Sequence, residues 1–174
     1  MRNTRRNTFC ASNMYNSQRG SSMEGYVVSL YLAPTVHVPM NQVSTAHLVP
    51  GRGIEGDRFY GHHENQNASG DVIYDVTLVE QEAIEHIQDQ NPQADPGASA
   101  RRNVVVKGCS LKELAGRTFR IGEVTLQGIA RHDACFSGDI DQSNACNMLL
   151  SADLGARILT EGIISIGDRI QEVH

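Results

Sequence analysis

The sequence predicts a mainly β domain, a closed or nearly closed barrel with a few flanking α-helices. Three observations carry that expectation: short runs rich in β-branched and aromatic residues recur along the chain, glycine-bearing turns separate them, and only one segment has clear helical periodicity. An alternating α/β sheet needs a helix between successive strands, and this chain does not supply them.

Taken in order, residues 1–22 hold Asn, Ser and Arg with almost nothing to bury, and Glu24 is the first acidic residue. This stretch is set apart as a disordered leader or an expression remnant. Its Arg-rich, acid-free composition also loosely resembles a transit peptide. Met23 is the expected start, with residues 23–174 forming one domain. Residues 26–32 and 42–49 read as strands, the second ended by Pro50-Gly51. Gly51, Gly53 and Gly56 punctuate a tight segment around Arg52 and Asp57-Arg58, and residues 62–71 read as an exposed polar loop. A strand follows over residues 72–79. Residues 80–90 place Ala83, Ile84 and Ile87 at helical spacing, and Asn91-Pro92 ends that helix.

After a linker-like loop at residues 91–100, strands are expected at 103–107, 117–121 and 124–129, with one helical turn at 110–115. Residues 137–144 form a second polar loop and residues 145–150 a short helix. Residues 163–166 and 169–173, split by Gly167-Asp168, have the pattern of a closing hairpin. No internal repeat is present.

The totals narrow the function classes. A chain of 174 residues that is 40% hydrophobic has material for one ordinary core. No apolar run approaches the roughly 18–20 residues of a membrane span, and the opening lacks a secretory apolar stretch. A cytoplasmic protein is expected, without membrane partners. The net charge of −5 argues against nucleic-acid binding through the overall field. Lys107 and Lys112 are the only lysines, so the positive charge is almost wholly guanidinium, the group that grips planar or phosphorylated anions bidentately. Cys10, Cys109, Cys135 and Cys146 include no short-spaced pair and read as thiols. His62, His63 and Glu64 lack a second ligand pair at matching spacing and are assigned no role.

Several segments, in order, resemble the MOSC family, named after the C-terminal domain of molybdenum-cofactor sulfurases. They are Gly53-Ile54-Glu55-Gly56-Asp57-Arg58; Asp75-Val76-Thr77-Leu78-Val79 leading into Glu82-Ala83; Arg102-Asn103-Val104-Val105-Val106; and Leu114-Ala115-Gly116-Arg117 running into Ile121-Gly122-Glu123-Val124. Cys135 follows, then Gly155-Ala156-Arg157-Ile158-Leu159 and Gly162-Ile163-Ile164-Ser165-Ile166-Gly167-Asp168. The resemblance runs from about residue 25 to the C-terminus. It implies a β-barrel of the MOSC type, similar to the β-barrel of pyruvate kinase, with flanking helices. It also implies that Cys135 either ligates molybdenum in a bound molybdopterin or carries a persulfide.

A thiolate is the sulfur nucleophile and the metal ligand, so Cys135 needs a neighbouring positive charge to lower its pKa. Arg131 and His132 are at hand, and strand alternation puts Arg131 rather than His132 on the face of Cys135. By resemblance, Arg58, Arg101, Arg102 and Asn103 lie in segments around the family's pocket and are expected to hold a phosphate or a pterin edge. Asp57 is expected to fix a turn or an arginine, and Asp75 and Thr77 to support a strand end. Cys109 and Cys146 are expected to be inert, unless one lies close enough to resolve an oxidised or persulfidated Cys135. Three roles stay open: reduction of small N-oxygenated substrates with a separate electron donor, sulfur carriage from a cysteine desulfurase acting in trans, and a binding module without chemistry. The first is the leading expectation; Ala134, standing where relatives commonly have proline, makes the third a reasonable alternative. No flavin or iron–sulfur cluster is expected in this chain.

Overall fold

The structure, a computed structural model, describes residues 24–61, 74–90, 101–130 and 152–173. The described elements are β1 (Glu24–Leu32), β2 (Asn41–Val43), β3 (Thr45–Val49), β4 (Gly53–Ile54), β5 (Val76–Glu80), α1 (Gln81–Gln90) and β6 (Val104–Lys107). They continue with α2 (Leu111–Leu114), β7 (Thr118–Ile121), β8 (Val124–Ile129), β9 (Asp153–Ile158), β10 (Gly162–Ser165) and β11 (Arg169–Glu172). The leader, the loops at 62–71, 91–100 and 137–144, and the short helix at 145–150 lie wholly or almost wholly outside the described residues.

Seven strands close a barrel in the order β11-β7-β8-β9-β5-β6-β1, with β1 pairing back onto β11 and β2 added beside β1. Neighbours are antiparallel except β5 and β6. Parallel neighbours need a crossover, and α1 lies within the one that joins them. Inward residues of β1 and β5 through β9 alternate with outward ones, so Val27, Leu78, Val104, Phe119, Leu126, Leu154 and Ala156 share one apolar cluster. Strand β1 serves both faces through a bulge, where Val27 pairs Val106 but Ser29 pairs Val105. The extra residue shifts the alternation, so Val27 and Leu30 face the barrel while Val28 and Tyr31 face outward. There α1 lays Ile84 and Ile87 against Val79 and Val105, forming a second apolar layer on the barrel wall.

Two expectations are corrected, and one strand was not foreseen. The strand expected at residues 42–49 is two strands, because β2 pairs with β1 while β3 joins β10 and β4 in a separate three-stranded sheet. The expected closing hairpin does not form: β10 pairs with β3, and β11 pairs with β1 and β7. The turn between them is held by β1, since Gly167 N–H donates to Val27 O (2.8 Å) and Val27 N–H to Asp168 O (2.9 Å). Gly167, at φ 93°, provides the left-handed bend that sends the chain from one sheet to the other. Finally, β9 carries no strand signal in the sequence, because Gly155, Ala156 and Arg157 are poor strand formers, yet it pairs with both β5 and β8. A side chain at Gly155 would run into the Tyr74 ring, so the smallness that hides this strand is what the packing requires. Among the described residues no helix is long and apolar enough to cross a membrane.

Candidate functional site

Asp57, Asn103 and Asp153 are the buried polar or charged residues of the described structure, and all three belong to one seam on the outer wall of the barrel. Asp153 pairs with Val79, which places it on the outward face that α1 covers farther along. Asn103, just before β6, ties the seam together. Its amide oxygen accepts from Thr77 N–H (3.3 Å) and Thr77 Oγ1 (2.9 Å), and its amide nitrogen donates to Tyr31 O (3.3 Å) and Asp57 Oδ1 (3.4 Å). These four bonds engage the full capacity of the group.

Asp57 orders the segment after β4. Its Oδ1 also accepts from Ala33 N–H (3.2 Å), and its Oδ2 from Phe59 N–H (3.3 Å), closing a side-chain turn of the kind aspartate favours. Gly56, at φ 83°, supplies the left-handed residue that leads into it. Arg58 N–H donates to Ala33 O (2.7 Å), so both Asp57 and Arg58 are anchored to the end of β1.

Three arginines surround this frame and are used differently. Arg102 donates from Nε to Asp153 Oδ2 (2.7 Å) and also from Nη2 to the same oxygen, with 12% of its side chain exposed and none of that of Asp153. Arg101, whose φ is 51°, donates from Nη2 to Val36 O (2.8 Å) and from Nη1 to Val38 O (3.3 Å). Positive φ costs a residue other than glycine about 1 kcal/mol or more, so the fold holds this arginine against its backbone preference. Arg58 has its guanidinium carbon 4.7 Å from the centre of the Phe59 ring, while its Nη1 is buried and has no hydrogen-bond partner among the described residues. Burial pulls the Arg58 pKa below its ordinary value; Asp57 opposes that shift, and the charges of Arg101 and Arg102 add to it. The guanidinium still stays protonated at neutral pH. The result is three guanidinium charges set against two buried carboxylates, with one buried donor that has no acceptor among the described residues, a place where an anion gains stabilisation.

A sequence model of the MOSC domain matches residues 65–171, more than half of the chain. The chain belongs to the MOSC domain family. Among solved structures, this MOSC domain is similar to the YUAD protein from Bacillus subtilis, with a TM-score of 0.68 and 20% identity over 87% of this chain and 97% of that one. It is also similar to YiiM from Escherichia coli, with a TM-score of 0.57 and 16% identity over 87% and 70% of the two chains. YiiM from Geobacillus stearothermophilus gives a TM-score of 0.58 and 11% identity over 86% and 75%. At these identities the likeness concerns the fold. A comparison with curated protein sequences gives no match.

Of the residues expected to build the site of this MOSC domain, Arg58, Arg101, Arg102 and Asn103 come together at the seam. Cys135, Arg131, His132, Cys10, Cys146 and the His62-His63-Glu64 cluster lie outside the described residues. Asp153, the partner of Arg102, is legible only once β9 is recognised as a strand; otherwise an acidic residue before Leu-Gly-Ala reads as loop. Cys109 is remote in character from a reactive thiol. It is buried beneath Gly25, and burial, with Glu80 and Glu82 nearby, pushes its pKa up to about 12. At neutral pH it stays a protonated packing residue, unsuited to resolving a persulfide. Among the described residues no group of three His, Cys, Asp or Glu side chains is arranged to hold a metal ion.

Proposed function

We propose that this MOSC domain binds the molybdenum cofactor at the arginine seam and takes part in reducing small N-oxygenated compounds, with Cys135 as the molybdenum ligand. The observation that carries the reading is the buried Nη1 of Arg58, which has no partner among the described residues, with the charge of Arg101 acting on the same guanidinium. A buried donor on a charged group is costly unless an acceptor arrives, and the phosphate of a molybdopterin is an acceptor of the right charge.

The four seam residues divide into two kinds. Arg58 and Arg101 retain donors and would hold the anionic end of the cofactor. Arg102 and Asn103 are bonded into the protein and position the others: Asn103 fixes Asp57, and with it Arg58, while Arg102 holds Asp153 at the start of β9. Cys135 belongs to the connection between β8 and β9, which are adjacent in the barrel, and the described chain resumes at Ala152, next to Asp153. That connectivity supports bringing the thiolate to the seam, with Arg131 in its sequence neighbourhood to favour ionisation. When bound, molybdenum would supply two-electron redox chemistry. The protein's part is to hold the anion, orient the cysteine and exclude water. Electrons come from a separate donor.

Molybdenum content and oxidised-pterin fluorescence test this reading. The protein is purified from a host that makes the cofactor, as wild type, Cys135→Ser and Arg58→Met. Near-stoichiometric molybdenum and pterin in the wild type are expected, with metal lost from Cys135→Ser and both lost or strongly reduced in Arg58→Met. Absence of both from wild type overturns the reading. A mass increment of one sulfur on Cys135 after exposure to a cysteine desulfurase would then point to sulfur carriage.

A further inference from the structure

His47 lies on β3, apart from the seam, and is engaged at both ring nitrogens. Nδ1 is 2.9 Å from Glu55 Oε2, and Nε2 is 3.1 Å from Glu161 Oε1. A neutral imidazole has one N–H, so it can donate to only one of two carboxylates; the imidazolium satisfies both. The two acids come from opposite sides. Glu55 follows β4 and Glu161 precedes β10, the two strands that flank β3. From β3 itself the side chains that share the face of His47 are Thr45 and Val49, and from β10 its register partner is Ile163, none of them charged. Among the described residues, Glu55 and Glu161 are thus the titratable groups that face it from the flanking elements.

The chain direction links this cluster to the seam. Glu55 N–H donates to His47 O (3.0 Å), so residue 55 is fastened to β3 by backbone and side chain alike. Gly56 turns the chain, and Asp57 and Arg58 follow.

We propose that His47 is a proton-operated brace for residues 53–58. Its imidazolium, held between Glu55 and Glu161, steadies the stretch that presents Arg58, and its deprotonation loosens that stretch and weakens anion binding at the seam. The second half rests on the reading of the arginine seam as an anion site.

The direction in pH follows from the partners. The hydrogen bond to Glu55 raises the His47 pKa above its ordinary 6.5; partial desolvation opposes this, and Glu161 adds to the rise. A raised folded-state value makes the brace fully present below 6.5 and lost as pH rises through the higher folded value. Above it, one carboxylate loses its donor and the two acids face each other across a neutral ring.

Two measurements on the full chain test the brace, over about pH 5.5 to 8.5, the range in which a histidine changes charge. Histidine ring shifts give the titration of His47, and amide hydrogen exchange, corrected for its intrinsic pH dependence, gives the protection of residues 55–59. Protection is expected to fall roughly two- to fivefold through the His47 titration, the size an exposed ion pair allows. The fall should vanish in His47→Gln and move to lower pH in Glu161→Gln. Protection that stays flat in the wild type, or falls equally in His47→Gln, overturns the brace, as does a His47 midpoint at or below the ordinary value. Sulfate, whose charge is constant over this range, probes the seam, and its affinity should fall by a similar factor in the wild type and not in His47→Gln. Sulfate affinity that does not follow the protection overturns the coupling. Protection that tracks His47 while sulfate binds at no pH overturns the anion-site reading and leaves the brace standing.

Discussion

The barrel interior and the seam on its outer wall are both buried, and they follow opposite rules. Inside, Leu78, Phe119, Leu126 and Leu154 are sealed from solvent among apolar neighbours, and among the described residues no buried charged or amide side chain belongs to that cluster. Such a region is stable because water is absent, and each large side chain contributes about 1.5–3 kcal/mol by transfer alone. On the wall, burial encloses Asp57, Asn103 and Asp153, whose cost is offset only by the bonds they make. The difference teaches where to look for function. A fold that needs only stability has no reason to bury an aspartate against an arginine, and here the buried polar residues coincide with the segment that holds Arg58, whose buried Nη1 has no hydrogen-bond partner among the described residues.

The largest effect expected belongs to the interior. Leu78→Ala should cost about 2–5 kcal/mol in urea unfolding, because the closed barrel cannot collapse around the vacated volume. A loss below about 1 kcal/mol would show a loosely packed interior and erase the contrast. Next comes Asp153→Ala, expected to destabilise by about 3 kcal/mol because Arg102 is left charged and nearly covered. The double variant Arg102→Met with Asp153→Leu should recover most of that loss, which would show that the pair serves placement more than stability. The smallest effect has the opposite sign. Arg58→Met removes a buried donor that has no partner among the described residues and should leave stability unchanged or raise it by about 1 kcal/mol, while abolishing anion retention. Clear destabilisation would mean that Arg58 is structural after all.

Much of the barrel was legible beforehand. Strands β1, β5, β6, β7 and β8 and helix α1 sit where β-branched runs and helical spacing place them, with ends shifted by a few residues at most. The failures have one physical source, the pairing partner. Residues 42–49 have uniform strand chemistry, yet the chain changes sheets at Ser44 because β1 and β10 claim its two halves. Residues 163–173 look like a hairpin, yet Val27 bonds to Gly167 and Asp168 across the turn and β11 pairs with β1 and β7 instead of β10. Strand β9 has the weakest strand chemistry of all, and β5 and β8 impose its conformation from both sides.

At the site, residue type was readable and residue role was not. The arginines at 58, 101 and 102 announced an affinity for anions, because the guanidinium carries its charge and geometry wherever it is placed. How each arginine is used depends on neighbours distant in sequence: Asp153 for Arg102, the carbonyls of Val36 and Val38 for Arg101, and no partner among the described residues for Nη1 of Arg58. The same holds for Cys109, a thiol like any other in sequence, which only burial beside Glu80 and Glu82 makes inert. By itself the sequence determined the chemistry available to this protein: a β-rich core, guanidinium charge and a family pattern spread along the chain. Tertiary structure alone decided which polar groups satisfy one another, because hydrogen-bond saturation is a property of positions in space and not of residues in order.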